Sequence, residues 1–362
     1  MITYFDLIQD NGFRDYVSDR IARSTHQPYS FPLILPKLYR YRSLSSYAID
    51  DIIKGKITMT SIGDFNDVFD GALHQYGSDE EIENAANSQW EELESHRIAA
   101  NLPEGLLHKD DIVNTYKEHL KRESRYKFRE LDYLGTYVCC FSMGNTATLM
   151  WAHYADSNKG ICIEYEFGKL PSDNLLRQSL FPIVYTDLPI DVSDLLEDKE
   201  NAVYQYPLDA AVLCSALSKA SIWNYEKEWR LIWILASPNE TQRRLSINSL
   251  IYPSKVYLGY HFLKSFFYYD FKSDPEYKAC TKAIKNFMEL MEFLQENHIP
   301  VAIMKPVVGS YEFMPQTIPI DAMFSFMARH FHDDRPENMR YYYIILDYLM
   351  DLIEESQKLT HK

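Results

Sequence analysis

Glycine is scarce in this chain, with 12 glycines among 362 residues. Few turns can therefore depend on glycine for a left-handed backbone, and flexible glycine-rich linkers are not expected. Cysteine is scarce as well: the five cysteines are an odd number without paired spacing. This predicts reduced thiols and a cytoplasmic location rather than a disulfide framework. Aromatic residues are abundant instead, and 28 Tyr, 19 Phe and 5 Trp predict a core rich in rings.

Long apolar runs and excess positive charge are also missing. No stretch reaches the ~18 uncharged apolar residues of a membrane span. The first residues, Met1–Asp6, lack the basic region and apolar core of a signal peptide. The sequence therefore predicts no membrane association. The net charge of −15 argues against broad electrostatic capture of nucleic acid, although a local basic groove is compatible with that total.

The common catalytic motifs are absent. The chain has no P-loop, no GxGxxG after a strand, no GxSxG, no HExxH and no CxxC pair. A hydrolase or dehydrogenase of a standard type would usually show one of them. A cysteine nucleophile formed by Cys140 and His153 is disfavoured, because the sequence supplies no third group to orient the histidine. Any chemistry must therefore come from polar residues placed within the strands and turns.

Short strand-like runs alternate with helical stretches and predict an α+β fold with helices flanking a central sheet. We expect an N-terminal helix and extended lead-in at 1–35, an α+β domain at 36–318 and a C-terminal helical extension at 319–362. A helical insertion is predicted at 78–130, within the α+β domain. It is either an exposed addition or one wall of a basic groove.

The first polar cluster is the strand-like run Leu38–Arg42. Strand alternation places Arg40 and Arg42 on one face, with Tyr39 and Tyr41 on the other. Two neighbouring guanidinium groups repel each other unless they share an anionic partner. That partner is either a ligand phosphate or a nearby carboxylate, and the sequence leaves both possibilities open.

The second cluster is a turn that contains Phe65, Asn66 and Asp67, followed by Phe69. Asparagine and aspartate can hold such a turn through bonds from their side chains to the backbone. Alternatively, the loop supports a ligand, and Phe65 or Phe69 stacks on it.

The third cluster begins at Ser142 and continues in a short helix that holds Trp151, His153 and Tyr154. Trp151 and Tyr154 share one helix face, which fits core packing or a ligand-binding surface. His153 points elsewhere, and both a structural and a functional role remain open for it.

The fourth cluster contains Glu226, Glu228 and Arg230. In an extended strand these three side chains project from one face. Burial would raise the pKa of one carboxyl group, while Arg230 would keep the other ionised. This cluster is the strongest site candidate, and a structural lattice of arginine and glutamate is the alternative.

These clusters occur in an order that resembles the bacterial family of unknown function DUF2971. The resemblance covers about residues 36–318, with Val68 at a position where the family more often has proline. Six blocks carry it: Leu38–Arg42, Phe65–Asp70, Cys140–Ser142, Met150–Asp156, Lys159–Tyr165 and Tyr225–Leu231.

The order of an arginine, an aromatic residue and a glutamate along the chain, at Arg40, Tyr154 and Glu228, also resembles ADP-ribosyltransferase-like folds. This second resemblance implies a central mixed or split antiparallel β-sheet, with NAD as the substrate. It implies that Arg40, with Arg42, grips the diphosphate and that Tyr154 stacks on nicotinamide. Glu228, with Glu226 nearby, would stabilise an oxocarbenium-like transition state. The further residues expected to contact the nucleotide are Tyr41, Phe65, Asn66, Asp67, Ser142, Trp151, His153 and Arg230.

The leading functional prediction is an NAD-using ADP-ribosyltransferase or NAD glycohydrolase, acting as a bacterial toxin or phage-defence effector. One alternative is a non-catalytic nucleotide-binding sensor, whose apolar C-terminal stretch Tyr341–Glu355 contacts a protein partner or forms an oligomer. Another is a metal-dependent nuclease that uses Asp67, Asp70, Glu164 and Glu228 as oxygen ligands.

Overall fold

The structure is a computed structural model. The residues it describes are 4–67, 69–71, 79–103, 105, 107–132, 135–190, 207–235, 242–262 and 286–320. Almost all of the predicted C-terminal extension lies outside these residues. Cys280 and Ser78, whose spacing to Glu81 predicts a helix cap, also lie outside them. None of the helices in the described ranges is long and apolar enough to cross a membrane.

The central element is a ten-stranded, mostly antiparallel sheet with one parallel pair, β10–β11. A separate two-stranded parallel sheet, β6–β7, lies beside it. The expected α+β class with a central mixed sheet is confirmed. The strands are β1 (Leu38–Arg42), β2 (Lys56–Ser61), β3 (Thr136–Ser142), β4 (Ile161–Tyr165), β5 (Leu180–Pro182), β6 (Val184–Thr186), β7 (Ser218–Ala220), β8 (Glu228–Ile234), β9 (Arg244–Asn248), β10 (Lys255–Leu258), β11 (Val301–Pro306) and β12 (Phe313–Ile318).

Helices flank the sheet, and short 3₁₀ turns connect several of its strands. The α-helices are α1 (Tyr4–Gln9), α2 (Asn11–Thr25), α3 (Ser46–Ile53), α4 (Asp79–Ala99), α5 (Lys109–Asp132), α6 (Thr148–Tyr154), α7 (Leu175–Gln178), α8 (Pro207–Ala216) and α9 (286–296). The 3₁₀ turns are Ile62–Asp64, Phe167–Lys169 and Ser221–Glu226.

Local sequence explains where helices α2 and α3 begin. Ser45 caps α3, because its hydroxyl accepts a hydrogen bond from the Ala48 N–H at 3.2 Å. The single helix expected near the N-terminus is two helices, since the Asp10 side chain caps a new start at α2. The sequence pattern predicts a further helix at about 207–221, but that helix, α8, ends at Ala216, and the chain then forms β7, which pairs with β6.

The sheet is covered on both faces, and this explains why β3 and β4 are buried along nearly their whole length. Rings fill much of the interior, as the composition predicts; Phe141 and Phe167, for example, have centroids 5.2 Å apart. The fully buried rings are those of Trp151, Tyr137, Tyr165, Phe13, Phe167, Phe181 and Phe262.

The sheet branches at β3. Along one edge β3 pairs with β8 over its full length, from Thr136 to Ser142. Along the other edge it pairs with β1 only at Tyr39–Ser142, and with β2 only near Val138. In the described part of the chain, the intervening backbone 139–141 has no strand partner on that edge. β1 and β2 therefore diverge there and leave an opening in the sheet.

Gly160 lies where the turn after α6 crosses β1, and it permits a close backbone approach. A β-carbon at this position would lie 2.2 Å from the Arg42 carbonyl oxygen and 2.9 Å from the Ala155 carbonyl carbon. Gly160→Ala is therefore expected to lower the free energy of unfolding by about 1–3 kcal/mol through overpacking. Urea denaturation measures the change. Gly144→Ala is the matched control, since nothing lies within 4 Å of its added β-carbon; equal effects of the two variants would contradict the steric explanation.

Candidate functional site

A cavity of about 340 Å³ occupies the opening where the sheet branches. Strands β1, β2, β3, β7 and β8 and helix α6 contribute to its wall. The residues that line it are Tyr39, Arg40, Tyr41, Arg42, Thr60, Asp64, Phe65, Asn66, Asp70, Val138, Cys139, Cys140, Phe141, Ser142, Met150, Tyr154, Lys219, Glu226 and Glu228.

Arg230 is the centre of a buried charge network beside this cavity. Its side chain is fully buried, and its Nε donates to Glu228 Oε1 at 2.8 Å. Its two Nη atoms donate to Asp70 Oδ2 at 2.6 Å and to the Ala216 carbonyl at 2.8 Å. One guanidinium therefore joins β8 to the turn at Asp70 and to the end of α8, with the planar geometry that suits arginine.

Lys219 supplies the second cation of the network. Its ammonium donates to Glu226 Oε2 at 2.6 Å and to Glu228 Oε2 at 2.8 Å. Asp70 Oδ2 lies 3.5 Å away. The network thus contains three carboxylates and two cations, and one ammonium bridges the two glutamates of the cavity wall.

The two glutamates titrate in opposite directions. Burial raises the pKa of Glu226, and the opposing attraction of Lys219 does not cancel that effect. Burial would also raise the pKa of Glu228, but Arg230 and Lys219 outweigh burial and lower this pKa to about 2. The sequence prediction that burial raises the pKa of one carboxyl group while Arg230 keeps the other ionised is confirmed.

The backbone around Glu226 differs from the predicted continuous strand. Glu226 ends the 3₁₀ turn Ser221–Glu226, and Lys227 has a left-handed backbone with φ of 44°. The strand begins only at Glu228. Strand alternation therefore cannot bring the two glutamates together, and their meeting at Lys219 is a tertiary contact.

Tyr154 reaches the network from α6, as its place on the inner helix face allows. Its hydroxyl donates to Glu226 Oε1 at 2.6 Å. Its helix neighbours differ: Trp151 is fully buried and donates from Nε1 to the Asn145 carbonyl at 2.6 Å, whereas His153 is exposed. Neither Trp151 nor His153 lines the cavity.

The two arginines of β1 have different partners. Arg42 forms an ion pair with Asp51 of α3 at 2.5 Å, which is the carboxylate alternative left open by the sequence. Arg40 Nη2 donates to the Thr58 carbonyl on β2 at 2.7 Å, across the divergence of β1 and β2. In the described part of the chain Arg40 has no ion pair, so the two guanidinium groups do not share one anionic partner.

Of the predicted turn residues, some line the cavity, whereas Asp67 holds the turn itself. The Phe65 ring lies 5.2 Å from the Arg230 guanidinium, and Asn66 lines the cavity. Asp67 does not line it: Asp67 Oδ1 accepts a hydrogen bond from the Phe69 N–H at 2.9 Å and so holds the turn.

Two further predicted contacts, Ser142 and Tyr41, line the cavity from adjacent strands. The Ser142 hydroxyl donates to the Glu226 carbonyl at 2.7 Å. The Tyr41 hydroxyl donates to the Gly144 carbonyl at 2.8 Å. Both hydroxyls therefore fix the loop backbone near the cavity.

The four carboxylates of the nuclease alternative do not converge. Glu164 bonds to Lys37 at 2.8 Å and to Tyr257 at 2.6 Å, and it does not line the cavity. Asp70 and Glu228 are both bound by Arg230. Within the described ranges, no three His, Cys, Asp or Glu side chains group so as to hold a metal ion.

Sequence reasoning missed Lys219 and Tyr185. The Tyr185 hydroxyl accepts the Glu228 N–H at 2.7 Å, and nothing in its sequence surroundings marks that role. Lys219 carried one signal: it is a lysine at the end of the otherwise largely apolar stretch Ala210–Ala220. Lysine is almost never fully buried unless it is paired, so a lysine in such a stretch predicts an anionic partner nearby.

The comparison with known families locates a match in the middle of the chain. Residues 150–231 match the family described as "Protein of unknown function (DUF2971)". They span α6 to the first half of β8 and include Tyr154, Lys219, Glu226 and Glu228. No curated protein and no solved structure matches the chain, and the likeness to ADP-ribosyltransferase-like folds stays a prediction. The resemblance to DUF2971 in the sequence motifs is confirmed over residues 150–231, the range that matches this family.

Proposed function

We propose that the chain binds NAD⁺ in this cavity and cleaves its N-glycosidic bond, as an ADP-ribosyltransferase or NAD glycohydrolase. One observation carries the proposal: Glu226 and Glu228 share the Lys219 ammonium in the cavity wall, and their pKa values move in opposite directions. Two carboxyl groups whose environments separate their pKa values can divide the tasks of acid–base catalysis and charge stabilisation.

The chemistry assigns one task to each glutamate. As the bond between ribose C1′ and the nicotinamide nitrogen breaks, nicotinamide leaves with the bonding electrons and positive charge develops on the ribose. Glu228 stays ionised and stabilises that charge. Glu226, whose pKa is raised, accepts the proton from the attacking water or acceptor hydroxyl as a new bond forms at C1′.

Other cavity residues suit the remaining parts of the substrate. The rings of Tyr154 and Phe65 offer surfaces on which nicotinamide can stack. Arg40 lines the cavity, and its bond to the Thr58 carbonyl occupies only part of its donor capacity. The remaining donors are available to a phosphate oxygen.

The test is nicotinamide release from NAD⁺ by the wild type, Glu228→Gln and Glu164→Gln. Glu228→Gln removes the negative charge at the reacting centre and is expected to lower kcat by about 100-fold or more. Glu164→Gln is the matched control, because Glu164 is also buried and bonded to a lysine and a tyrosine but lies outside the cavity. Unchanged release by Glu228→Gln would refute the catalytic assignment.

A non-catalytic nucleotide-binding module is the second candidate. The observation that favours it is the near-complete burial of Glu228, which is 4% exposed and already bonded to Arg230 and Lys219. Such a carboxylate can serve structure alone. Calorimetric binding of NAD⁺ without nicotinamide release would support this second function and exclude the first.

A further inference from the structure

Lys219 holds the side chains of Glu226 and Glu228 close together, because its ammonium bonds to both carboxylates. The left-handed Lys227 separates the two glutamates, so neither strand nor helix periodicity aligns their side chains. Lys219 bonds to one oxygen of each carboxylate, at 2.6 Å and 2.8 Å. Without a cation between them, two carboxylates at this spacing would repel each other in a buried site.

The β6–β7 sheet holds Lys219 in place. Tyr185 and Lys219 are register partners in this parallel pair, and both contact Glu228. Tyr185 accepts the Glu228 N–H at 2.7 Å, while Lys219 binds its carboxylate. The Lys219 ammonium also lies 5.2 Å from the Trp223 ring, which favours the cation. The small sheet therefore fixes both the backbone and the side chain of Glu228.

We propose that Lys219 is a positioning residue, which holds the carboxylates of Glu226 and Glu228 together on the cavity wall and keeps Glu226 able to exchange a proton. This inference rests on the proposed function for its catalytic consequence, but the positioning itself requires no turnover. The charged and titratable groups of the described residues that face Lys219 or the two glutamates are Asp70, Arg230, Tyr154, Tyr185, Tyr225 and Cys140.

Lys219→Met removes the charge and keeps a side chain of similar length. Glu228 retains Arg230 and stays ionised, whereas Glu226 loses the ammonium bonded to its Oε2, the one cation at hydrogen-bond distance among the described residues. The titration midpoint of Glu226 is therefore expected to rise by about one pH unit or more. The pH below which kcat falls should rise by the same amount, because the ionised form of Glu226 then appears only at higher pH.

The kinetic test compares Lys219→Met with Lys219→Arg, which keeps the charge. We expect kcat at neutral pH to fall by about 10- to 100-fold in Lys219→Met, with little change in KM. Lys219→Arg should recover part of that loss. Lys37→Met is the matched control, since Lys37 also bridges two carboxylates, Glu164 and Glu166, outside the cavity. If the value of kcat and its dependence on pH were unchanged in Lys219→Met, the proposal would be overturned.

A second measurement does not depend on activity, and its readout comes from the wild-type protein. In wild-type protein with ¹³C-labelled glutamate carboxyls and ¹⁵N-labelled lysine, the Lys219 Nζ resonance should titrate with the same midpoint as Glu226. Glu226→Gln assigns the carboxyl signal. A Lys219 resonance that does not follow Glu226 would refute the positioning role. If coupled titration is seen but NAD⁺ is not cleaved, the proposed function fails and the positioning role stands.

Discussion

Arg230→Met is expected to lower the free energy of unfolding by about 3–5 kcal/mol, because it removes one member of a buried ion network and leaves its partners uncompensated. Arg230 is fully buried and bonds to Glu228, Asp70 and the Ala216 carbonyl. Methionine fills much of the volume but supplies no donor. Lys219 then remains as the one cation of the network beside its three carboxylates, Asp70, Glu226 and Glu228.

Urea denaturation at neutral pH measures this loss. Arg23→Met is the control, because Arg23 pairs with Asp19 one helical turn away on the exposed face of α2, and such pairs contribute about 0–1 kcal/mol. A loss for Arg230→Met as small as that for Arg23→Met would show that the network contributes little to stability. The cavity wall would then require another explanation for its geometry.

Acidification is expected to remove about 3 kcal/mol of stability through Glu228 alone. The pKa of Glu228 falls from its ordinary value of 4.5 to about 2 in the folded protein, and each pKa unit corresponds to about 1.4 kcal/mol. A lowered folded-state pKa means that the stabilisation is complete above about pH 4.5 and disappears as the pH falls through 2. The free energy of unfolding, measured by urea at a series of pH values, should decline across that window.

Glu226 changes the free energy of unfolding in the opposite direction, and it does so at higher pH. Its raised pKa adds stability at low pH, and that contribution is lost as the pH rises through its folded-state value. Arg230→Met separates the two effects, because Glu228 then loses the cation that most strongly lowers its pKa. The variant should show a much weaker acid dependence between pH 4.5 and 2. Parallel curves for variant and wild type would contradict the assignment to Glu228.

Several features of the fold follow from the sequence alone. The run Leu38–Arg42 forms a strand, and Ser45 caps the next helix, because alternation and capping are local properties. The ring-rich core follows from composition. The DUF2971 motifs identified the segment that contains Tyr154, Glu226 and Glu228. Their physical environment was also predictable, since carboxylates beside an apolar strand must be buried and paired.

Other features depended on contacts between distant parts of the chain. Arg40 and Arg42 are neighbours in sequence, yet one bonds to β2 and the other to α3. Asp67 and Asp70 look equivalent in the sequence, but Asp67 holds a turn and Asp70 binds Arg230. The type of a residue determines which groups its side chain can bind. The tertiary fold determines which of those groups lie beside it.

The sequence by itself determined the α+β class, the main strands, the aromatic core and the opposite titration of two neighbouring glutamates. Only the tertiary structure decided that the sheet branches at β3, that the opening becomes a cavity and that Lys219 joins Glu226 to Glu228. The physical reason is the range of the interactions. Periodicity, capping and burial depend on residues close in the chain, whereas the network depends on Asp70 and Arg230, which are 160 residues apart.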